Sequence, residues 1–327
     1  MTGSSATRRH FLGAGAAAIA ATALPLQLRA EAYPGRPISY VVPFPPGATN
    51  DSSGRIVARK LGEKLGQTIV VDNKSGGGGS IGAEFVAKSK PDGHTLLNAS
   101  TGNLTIAPQL VRTGYEPFRD FKPVGYVGAS RSVFAIHPSL PVKTLQELIA
   151  YARENPGKLN FGSAGNGSGG HLAGEYLKLR ANIDMVHVPY RGSAAAAKDA
   201  TAGLVQLIID PITAPLVRSG QLRGLAVSGN DLRDDLPGVP SIADAGIADW
   251  ELSSGFVAVA PAATPAPVLA RLNEVFAEIL SDPPTIASLN AIGLRPLVLT
   301  PDEIVASLKK ESDTNRRIIQ AANITAD

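Results

Sequence analysis

Short apolar runs alternate with amphipathic segments along most of the chain, and the two patterns predict strands and helices in turn. In the first series, the predicted strands are 38–42, 69–72 and 95–98, and the predicted helices between them are 52–65 and 80–88. Asn50 or Asp51 would cap the start of the helix 52–65, and Gly66 would end it. This order is typical of a parallel sheet with helices on its faces.

A second series of the same kind begins near Val133. Its predicted helices are 145–154, 172–181 and 194–202, and its predicted strands are 159–161, 185–188 and 205–209. Two later helices, 268–280 and 302–319, follow a proline-rich stretch. Capping boxes at Thr144 and Thr300, each with a glutamate three residues on, mark the helices that follow them. The pattern therefore predicts an α/β protein of two lobes.

Two segments rich in glycine and small polar residues, Pro43–Asp51 and Gly162–His171, each follow a predicted strand and lead into a predicted helix. Free backbone N–H groups and the positive end of the helix dipole make such a position an anion site. One segment belongs to each series. The sequence therefore predicts one half-site in each lobe, with a ligand held in the cleft between them.

Two further loops follow strands in the same way. Residues 100–103 carry hydroxyl and amide side chains after the strand 95–98, and Asp210 precedes Pro211 after the strand 205–209. Asp210 would either cap the next short helix or face the ligand from the rim. Ligands of parallel α/β sheets bind outside the carboxyl ends of the strands. Hydroxyls and backbone N–H groups at these ends suit a carboxylate.

The N-terminus has the pattern of an export signal. Arg8 and Arg9 precede a weakly apolar run over 13–24, and Ala30-Glu31-Ala32 supplies a cleavage site of small residues. The run is shorter than the roughly 20 residues that span a bilayer. We predict a twin-arginine signal peptide over residues 1–32, cleaved near Ala32, and a periplasmic protein, with general secretion as the other possible route.

Charge and composition exclude several classes of protein. Without residues 1–32 the chain keeps 28 basic and 27 acidic residues, so the pI of about 9.1 is partly a property of the signal. We therefore expect no nucleic-acid partner. The absence of cysteine excludes disulfides, thiolate nucleophiles and zinc-thiolate sites. The histidines have no metal-binding spacing, so no metal is expected. His187 reads as a core residue, whereas His171 beside the second loop would act as a neutral hydrogen-bonding group.

Three motif matches indicate an enzyme instead. Residues 77–82 and 165–170 fit G-x-G-x-x-G, but no carboxylate stands at the end of the next strand to hold a ribose. Residues 78–82 also fit G-x-S-x-G, yet no histidine follows His187 to complete a triad. We predict no catalytic residues and no cofactor. An exported hydrolase or a nucleotide-cofactor protein that uses the glycine-rich loops remains the alternative.

Six ordered segments carry a family resemblance. They are residues 41–51, 73–82, 90–97, 161–172, 187–192 and 293–296. They resemble the signature segments of the Bug family, the periplasmic solute receptors of tripartite tricarboxylate transporters. The resemblance implies a two-lobed periplasmic-binding-protein fold, each lobe a mostly parallel sheet flanked by helices, with two crossing strands between lobes. It also implies a small carboxylate ligand and delivery to a two-subunit integral membrane transporter component. No feature indicates an oligomer, so we expect a monomer.

The resemblance also implies the ligand-binding residues. They are Phe44, Pro46, Gly47, Ala48, Asn50 and Asp51 from the first loop, Ser163, Gly167, Ser168 and His171 from the second, and Thr101 and Asp210 on the rim. The family loop usually reads Pro-Gly-Gly, whereas this chain has Ala48 at the second glycine. A positive φ there would strain alanine by roughly 1 kcal/mol or more. With an ordinary backbone, the added methyl would narrow the pocket.

The receptor interpretation predicts a discontinuous first lobe. If the chain crosses between lobes near 125–129 and returns near 250–257, lobe 1 consists of 33–128 plus 257–327, and lobe 2 is 129–256. Closure about the two crossings would bury the ligand without making or breaking a bond. A contiguous division near residue 130 is the alternative.

Overall fold

The strands of the chain divide into two sheets. The computed structural model describes residue 2, residues 33–229 and residues 235–325. Apart from residue 2, the predicted signal peptide lies outside the described residues, as does its cleavage site. In chain order, the strands are β1 (Ile38–Val42), β2 (Ile69–Asn73), β3 (Thr95–Ser100), β4 (Phe121–Ser130), β5 (Val133–Ile136), β6 (Asn160–Ser163), β7 (Val186–Pro189), β8 (Leu207–Asp210), β9 (Arg223–Val227), β10 (Gly255–Pro261) and β11 (Leu294–Arg295).

Helices connect these strands and cover the sheets. They are α1 (Thr49–Leu65), α2 (Ser80–Ala87), α3 (Thr101–Thr105), α4 (Ala107–Leu110), α5 (Pro117–Asp120), α6 (Leu145–Glu154), α7 (Gly169–Ala181), α8 (Ser193–Thr201), α9 (Ala214–Arg218), α10 (Ala266–Ser281), α11 (Pro283–Ala291) and α12 (Pro301–Ala321). Short 3₁₀ turns at Gly77–Gly79 and Pro211–Thr213 precede α2 and α9. No helix among the described residues is both long and apolar enough to cross a membrane.

Sheet A has the strand order β11-β4-β10-β3-β1-β2, and sheet B has the order β7-β6-β8-β5-β9. The βαβ connections predicted from sequence give parallel pairs, β1 with β2 and β3 in sheet A and β6 with β7 and β8 in sheet B. Strands β10 and β5 are antiparallel to their neighbours, because the chain enters each of them from the other sheet. The predicted α/β fold of two helix-flanked sheets is confirmed, and each sheet is mixed.

The chain passes between the sheets twice. Strand β4 ends at Ser130 in sheet A, and β5 begins at Val133 in sheet B. The return runs from the end of β9 to Gly255 at the start of β10. The two passages lie side by side, since the Ser130 N–H donates to the Ser254 carbonyl at 2.7 Å. Sheet A therefore takes strands from two separate stretches of sequence, while the exact lobe boundaries stay a proposal.

Each sheet has its own buried core. In sheet A, Val41, Leu97 and Val259 pack with Leu308 of α12. In sheet B, Phe134, Phe161 and Leu207 pack with helices α6 and α7. Burial of such side chains stabilises the fold by about 25 cal/mol per Å² of apolar surface removed from water. The two cores hold the carboxyl ends of the strands in fixed positions.

Most predicted elements agree with the structure within a few residues, and the start of α1 is one boundary that differs. The helix begins at Thr49 rather than Ser52, and its N-cap is Ala48, which has no side-chain cap hydrogen bond. The prediction that Asn50 or Asp51 caps the helix is therefore wrong. Gly47, at φ 83°, turns the chain sharply enough for the helix to begin at once. Gly66 ends the helix at φ 63°, as predicted.

Candidate functional site

A cavity of about 50 Å³ lies between the two sheets, beside the carboxyl ends of their central strands. We call it the main cavity. Its lining residues are mostly small or hydroxyl-bearing. They are Phe44, Ala48, Thr49, Asn50, Ser100, Ser130, Ser132, Ala164, Ser168, Gly169, Gly170, Ser193, Ile209, Asp210, Pro211, Ser254, Gly255 and Phe256.

The first loop brings the start of α1 to this cavity. Ala48 has the ordinary extended conformation (φ −70°, ψ 158°), so its methyl group lines the cavity without backbone strain. Asp51 lies behind the loop, where its carboxylate accepts hydrogen bonds from the Gly47 N–H at 3.0 Å and Arg55 Nε at 3.0 Å. Burial alone would raise the pKa of Asp51, but these hydrogen bonds, together with one from Asn73, lower it overall. Asp51 therefore positions the loop as a carboxylate.

The second loop brings the start of α7 to the same cavity. The Ser168 hydroxyl caps the helix by accepting from the His171 N–H at 3.3 Å, and the Gly167 N–H donates to His171 Nδ1 at 3.3 Å. The N–H groups of Gly169 and Gly170 have no hydrogen-bond acceptor within the described ranges. These are orphan donors of a helix of thirteen residues, and both glycines line the cavity. A ligand anion is the natural acceptor for them.

A stack of rings supports the second loop from behind. The His187 ring lies between Phe161, at a centroid distance of 4.9 Å, and His171, at 4.1 Å. His187 Nε2 and Ser163 Oγ share a hydrogen bond of 2.6 Å. Burial, together with the charge of Lys178, lowers the pKa of His171 to about 4, and burial with the neighbouring His171 and Lys178 lowers the pKa of His187 to about 3. Both rings are neutral at pH 7, as predicted for His171, with burial as the main cause.

Thr49 and Asp210 join the two sides of the cavity. The Thr49 hydroxyl at the start of α1 donates to Asp210 Oδ1 at 3.1 Å, across 161 residues of sequence. Asp210 also accepts from the Ile212 N–H at 2.9 Å and so caps the 3₁₀ turn that follows β8. Burial raises the pKa of Asp210 to about 6. The prediction that Asp210 caps the short helix is therefore confirmed, and its contact with a ligand stays a prediction, although the residue lines the cavity.

The two passages between the sheets supply part of the cavity wall. Ser130, Ser132 and Ser254 lie there, and the hydroxyls of Ser130 and Ser132 are 3.0 Å apart. These three serines are not among the predicted site residues, and neither are Ser193 and Thr49, although Thr49 lies within the first loop. No local motif marks the three serines, because they meet only after the chain has crossed between the sheets and returned.

The predicted site residues fall into two groups. Five of them line the main cavity: Phe44, Ala48, Asn50, Ser168 and Asp210. The other seven do not line it: Pro46, Gly47, Asp51, Thr101, Ser163, Gly167 and His171. Thr101, for example, is fully buried, and its hydroxyl accepts from the Gly255 N–H at 3.1 Å. A ligand contact for any of the twelve residues stays a prediction.

The main cavity combines apolar side chains with hydroxyl, amide and carboxyl groups. Among the described residues, no lysine, arginine or histidine lines this cavity. Within the described part of the chain, no three histidine, cysteine, aspartate or glutamate side chains are grouped so as to hold a metal ion. Orphan N–H groups at the starts of α1 and α7 and several serine hydroxyls face the same space. Such an arrangement binds an anion through many modest hydrogen bonds.

Comparison with known proteins adds independent observations. Residues 54–324 match the tripartite tricarboxylate transporter family receptor, TctC. Protein BugT of Bordetella pertussis is 36% identical over 289 residues, which cover 87% of this chain and 89% of BugT. Both matches extend through both sheets, so the resemblance to Bug receptors seen in the sequence is confirmed.

Three solved structures share the fold. Rpa4515 of R. palustris with adipate superposes with a TM-score of 0.86 at 35% identity, covering 90% of this chain and 99% of its own. The periplasmic binding protein BugD gives a TM-score of 0.84 at 30% identity, with 90% and 99% coverage. MatC from Rhodopseudomonas palustris with bound malate gives 0.83 at 26% identity, with 88% and 100% coverage.

Proposed function

Because this chain belongs to the receptor family of tripartite tricarboxylate transporters, we propose that it is an extracytoplasmic solute receptor for a small carboxylate. The ligand binds in the main cavity between the two sheets and is delivered to a membrane transporter component of two subunits. The receptor works in the periplasm, to which the segment 1–32 directs it. It acts as a monomer and leaves its ligand chemically unchanged.

The observation that carries the proposal is the convergence of two helix starts on one cavity. The first-turn residues Thr49 and Asn50 of α1 and Gly169 and Gly170 of α7 line it together. Their backbone N–H groups have no acceptor among the described residues. Two positive helix ends aimed at one space favour a negatively charged group there. The serine hydroxyls then accept or donate the remaining hydrogen bonds.

The nature of the ligand follows from this chemistry and from the relatives. Rpa4515 and MatC were solved with adipate and with malate, which are both dicarboxylates. In this chain, one carboxylate lies between the two helix starts and the rest of the molecule extends away from them. Ala48 narrows the space beside the carboxylate by one methyl group, because its backbone has an ordinary conformation. We therefore place the small carboxylate end, rather than a bulky group, next to Ala48.

The decisive test removes one N–H donor without unfolding the helix. Gly169 is the first residue of α7, where proline is well tolerated, and Ser168 before it has extended dihedrals that proline accepts. We expect Gly169→Pro to weaken the binding of adipate or malate by ten-fold or more, since a hydrogen bond to a charged group contributes about 1.5–3 kcal/mol. Isothermal titration calorimetry of residues 33–327 measures the change.

Gly169→Ala is the matched control, because it adds a side chain and keeps the N–H. A methyl group there would come no closer than 3.5 Å to Ser254, an ordinary contact. We expect this variant to bind within about three-fold of the wild type. Equal affinity in wild type, alanine and proline variants would contradict the proposed clamp. NMR of the acid after prolonged incubation with the protein should show it unaltered, and any turnover would contradict the receptor function.

A further inference from the structure

A second cavity adjoins the main cavity and has a different chemistry. Its volume is about 410 Å³, and Phe44 and Ala164 line both cavities. One wall is the glycine segment 76–79 after β2, and the opposite wall is Tyr190 and Arg191 after β7. It thus lies between the two sheets as the main cavity does. We call it the arginine cavity.

The glycine segment offers free backbone donors to this space. Gly77 and Gly78 both have left-handed dihedrals, with φ of 55° and 61°. Successive N–H groups in such turns form a concavity that binds anions. Neither N–H has an acceptor in the described parts of the chain. A side chain at Gly78 would come within 2.2 Å of the Asn166 carbonyl, so only glycine lets this segment lie against the second loop.

Arg191 is the charged group of the cavity. Its side chain is exposed and makes no ion pair or hydrogen bond within the described residues. No acidic residue of the described part of the chain lines the arginine cavity. Asp199 is engaged elsewhere, because its carboxylate accepts the Tyr190 hydroxyl at 2.7 Å. An unpaired guanidinium opposite free backbone N–H groups is suited to a carboxylate.

We propose that the arginine cavity binds the second carboxylate of a dicarboxylate whose first carboxylate occupies the main cavity. The inference rests on the proposed receptor function and adds to it a preference for diacids over monoacids. Phe44 and Ala164 lie at the junction, where the aliphatic part of the ligand passes from one cavity to the other. The main cavity binds one carboxylate of either kind of acid, and Arg191 distinguishes diacids from monoacids.

The test compares Arg191→Gln with wild-type protein for two probes of equal length, adipate and hexanoate. Lys198→Gln is the control, because it removes an exposed cation on the neighbouring helix α8 that does not line the cavity. Calorimetry at low ionic strength should give adipate a ten-fold or greater loss of affinity in Arg191→Gln. Hexanoate should change by less than two-fold, and Lys198→Gln should leave both acids as in wild type.

The outcomes separate the two proposals. If wild type binds adipate no better than hexanoate, or if Arg191→Gln leaves adipate unchanged, the arginine cavity is not a carboxylate subsite and the receptor function stands. An equal loss for both acids also contradicts the inference, since it assigns Arg191 to the anchoring of the first carboxylate. If neither adipate, malate nor hexanoate binds to wild-type protein, the receptor proposal fails together with the inference.

Discussion

Asp210 is the only ionisable side chain among the described residues that line the main cavity. Burial raises its pKa to about 6, and the Thr49 hydroxyl donates to its Oδ1 at 3.1 Å. At pH 7 its negative charge therefore faces the space where we place a carboxylate. Two negative charges that share this space would repel each other, and protonation of Asp210 would remove the repulsion. Ligand affinity and the protonation of Asp210 are therefore coupled.

From this coupling we predict that diacid affinity rises as the pH falls from 7.5 to 5.5. The gain should be several-fold, because a proton taken up on binding gives at most about ten-fold per pH unit. Asp210→Asn keeps an oxygen to accept from Thr49 and has no charge. This variant should bind more tightly than wild type at pH 7.5 and lose the pH dependence. Calorimetry at three pH values measures it, and weaker binding by Asp210→Asn at every pH would contradict the prediction.

The sequence predicts the role of a single residue where its neighbours in the chain determine its conformation. It does not where the role depends on contacts with distant segments. Ala48 follows a glycine with positive φ, and its own φ of −70° confirms the prediction of an ordinary backbone there. Asp210 ends a strand before a proline, and its predicted role as a helix cap is confirmed. Ser130 and Ser254 could not be found, because their proximity depends on a hydrogen bond between residues 124 positions apart.

At the level of elements, a buried acid connects α12 to α3, and α3 is in turn bonded to sheet A. Glu311 is 6% exposed, and its Oε1 accepts a hydrogen bond of 2.8 Å from Thr105 Oγ1 of α3. Burial raises the pKa of Glu311 to about 7, although hydrogen bonds from Thr101, Thr105 and Asn315 oppose this increase. Thr101 in turn accepts from the Gly255 N–H at the start of β10. The acid therefore links α12 to the wall of the main cavity through α3.

This acid should make the protein less stable as the pH rises. A carboxyl whose pKa is raised in the folded state contributes stability fully below its unfolded value near 4.5, and that contribution is lost as the pH rises through about 7. Each ten-fold difference in proton affinity between the folded and unfolded states corresponds to about 1.4 kcal/mol of lost stability. Glu311→Gln stays neutral, so its free energy of unfolding minus that of wild type should increase from pH 5 to pH 8. Urea titrations measure the difference.

A difference between the two proteins that stays constant over this range would show that Glu311 titrates near its ordinary value. Every other titrating group is common to both proteins, so their difference isolates residue 311. The histidine stack acts in the opposite direction. Its lowered pKa values give stability that is present above about 6.5 and lost as the pH falls towards 4 and 3.

Helix and strand positions followed from periodicity, but strand pairing did not. The capping box of Thr300 and Glu303 was predicted and is formed, with Glu303 Oε2 accepting from the Thr300 N–H at 2.8 Å. The sequence analysis predicts only that the chain returns to the first lobe near 250–257, and nothing there indicates that β10 pairs antiparallel with β3 and β4. Its neighbours are decided by where the chain returns from sheet B.

On the scale of the whole molecule, the loops of the two sheets meet through glycine. Gly192, before α8, approaches Pro45 of the first loop so closely that a methyl group at residue 192 would lie 2.8 Å from Pro45 Cδ. Its φ of 162° is extended backbone that any residue adopts. A substitution there is therefore hindered only by the facing loop. If the lobes open and close about the two passages, this contact exists only in the closed form.

We predict that Gly192→Ala weakens diacid binding by about three- to ten-fold, since displacing the facing loop by a few tenths of an ångström costs about 1 kcal/mol. The melting temperature of the ligand-free protein should change by less than about 2 °C. Thermal shift with and without ligand measures both quantities. Ala195→Ser, an exposed change on the same helix, should leave both as in wild type. A lower melting temperature with unchanged affinity would indicate a permanent contact.

The family resemblance predicts the two-lobed organisation well, whereas the local pattern of strands and helices predicts it poorly. Alternating strands and helices predict two α/β series, but they are equally compatible with a contiguous division near residue 130. Membership of β10 and β11 in sheet A depends on contacts with β3 and β4 that are far away in sequence. The division into 33–128 plus 257–327 and 129–256 remains our proposal.

The position of β10 also sets an order of events during synthesis. It lies between β3 and β4, so these strands have no common neighbour until residues 255–261 have left the ribosome. Sheet B, by contrast, is complete once Val227 has been made. Domains fold as units while the chain emerges, and pairings between distant segments form late. We expect sheet B to become ordered first, and sheet A, which contains both β1 and β11 and packs against α12, to wait for most of the polypeptide.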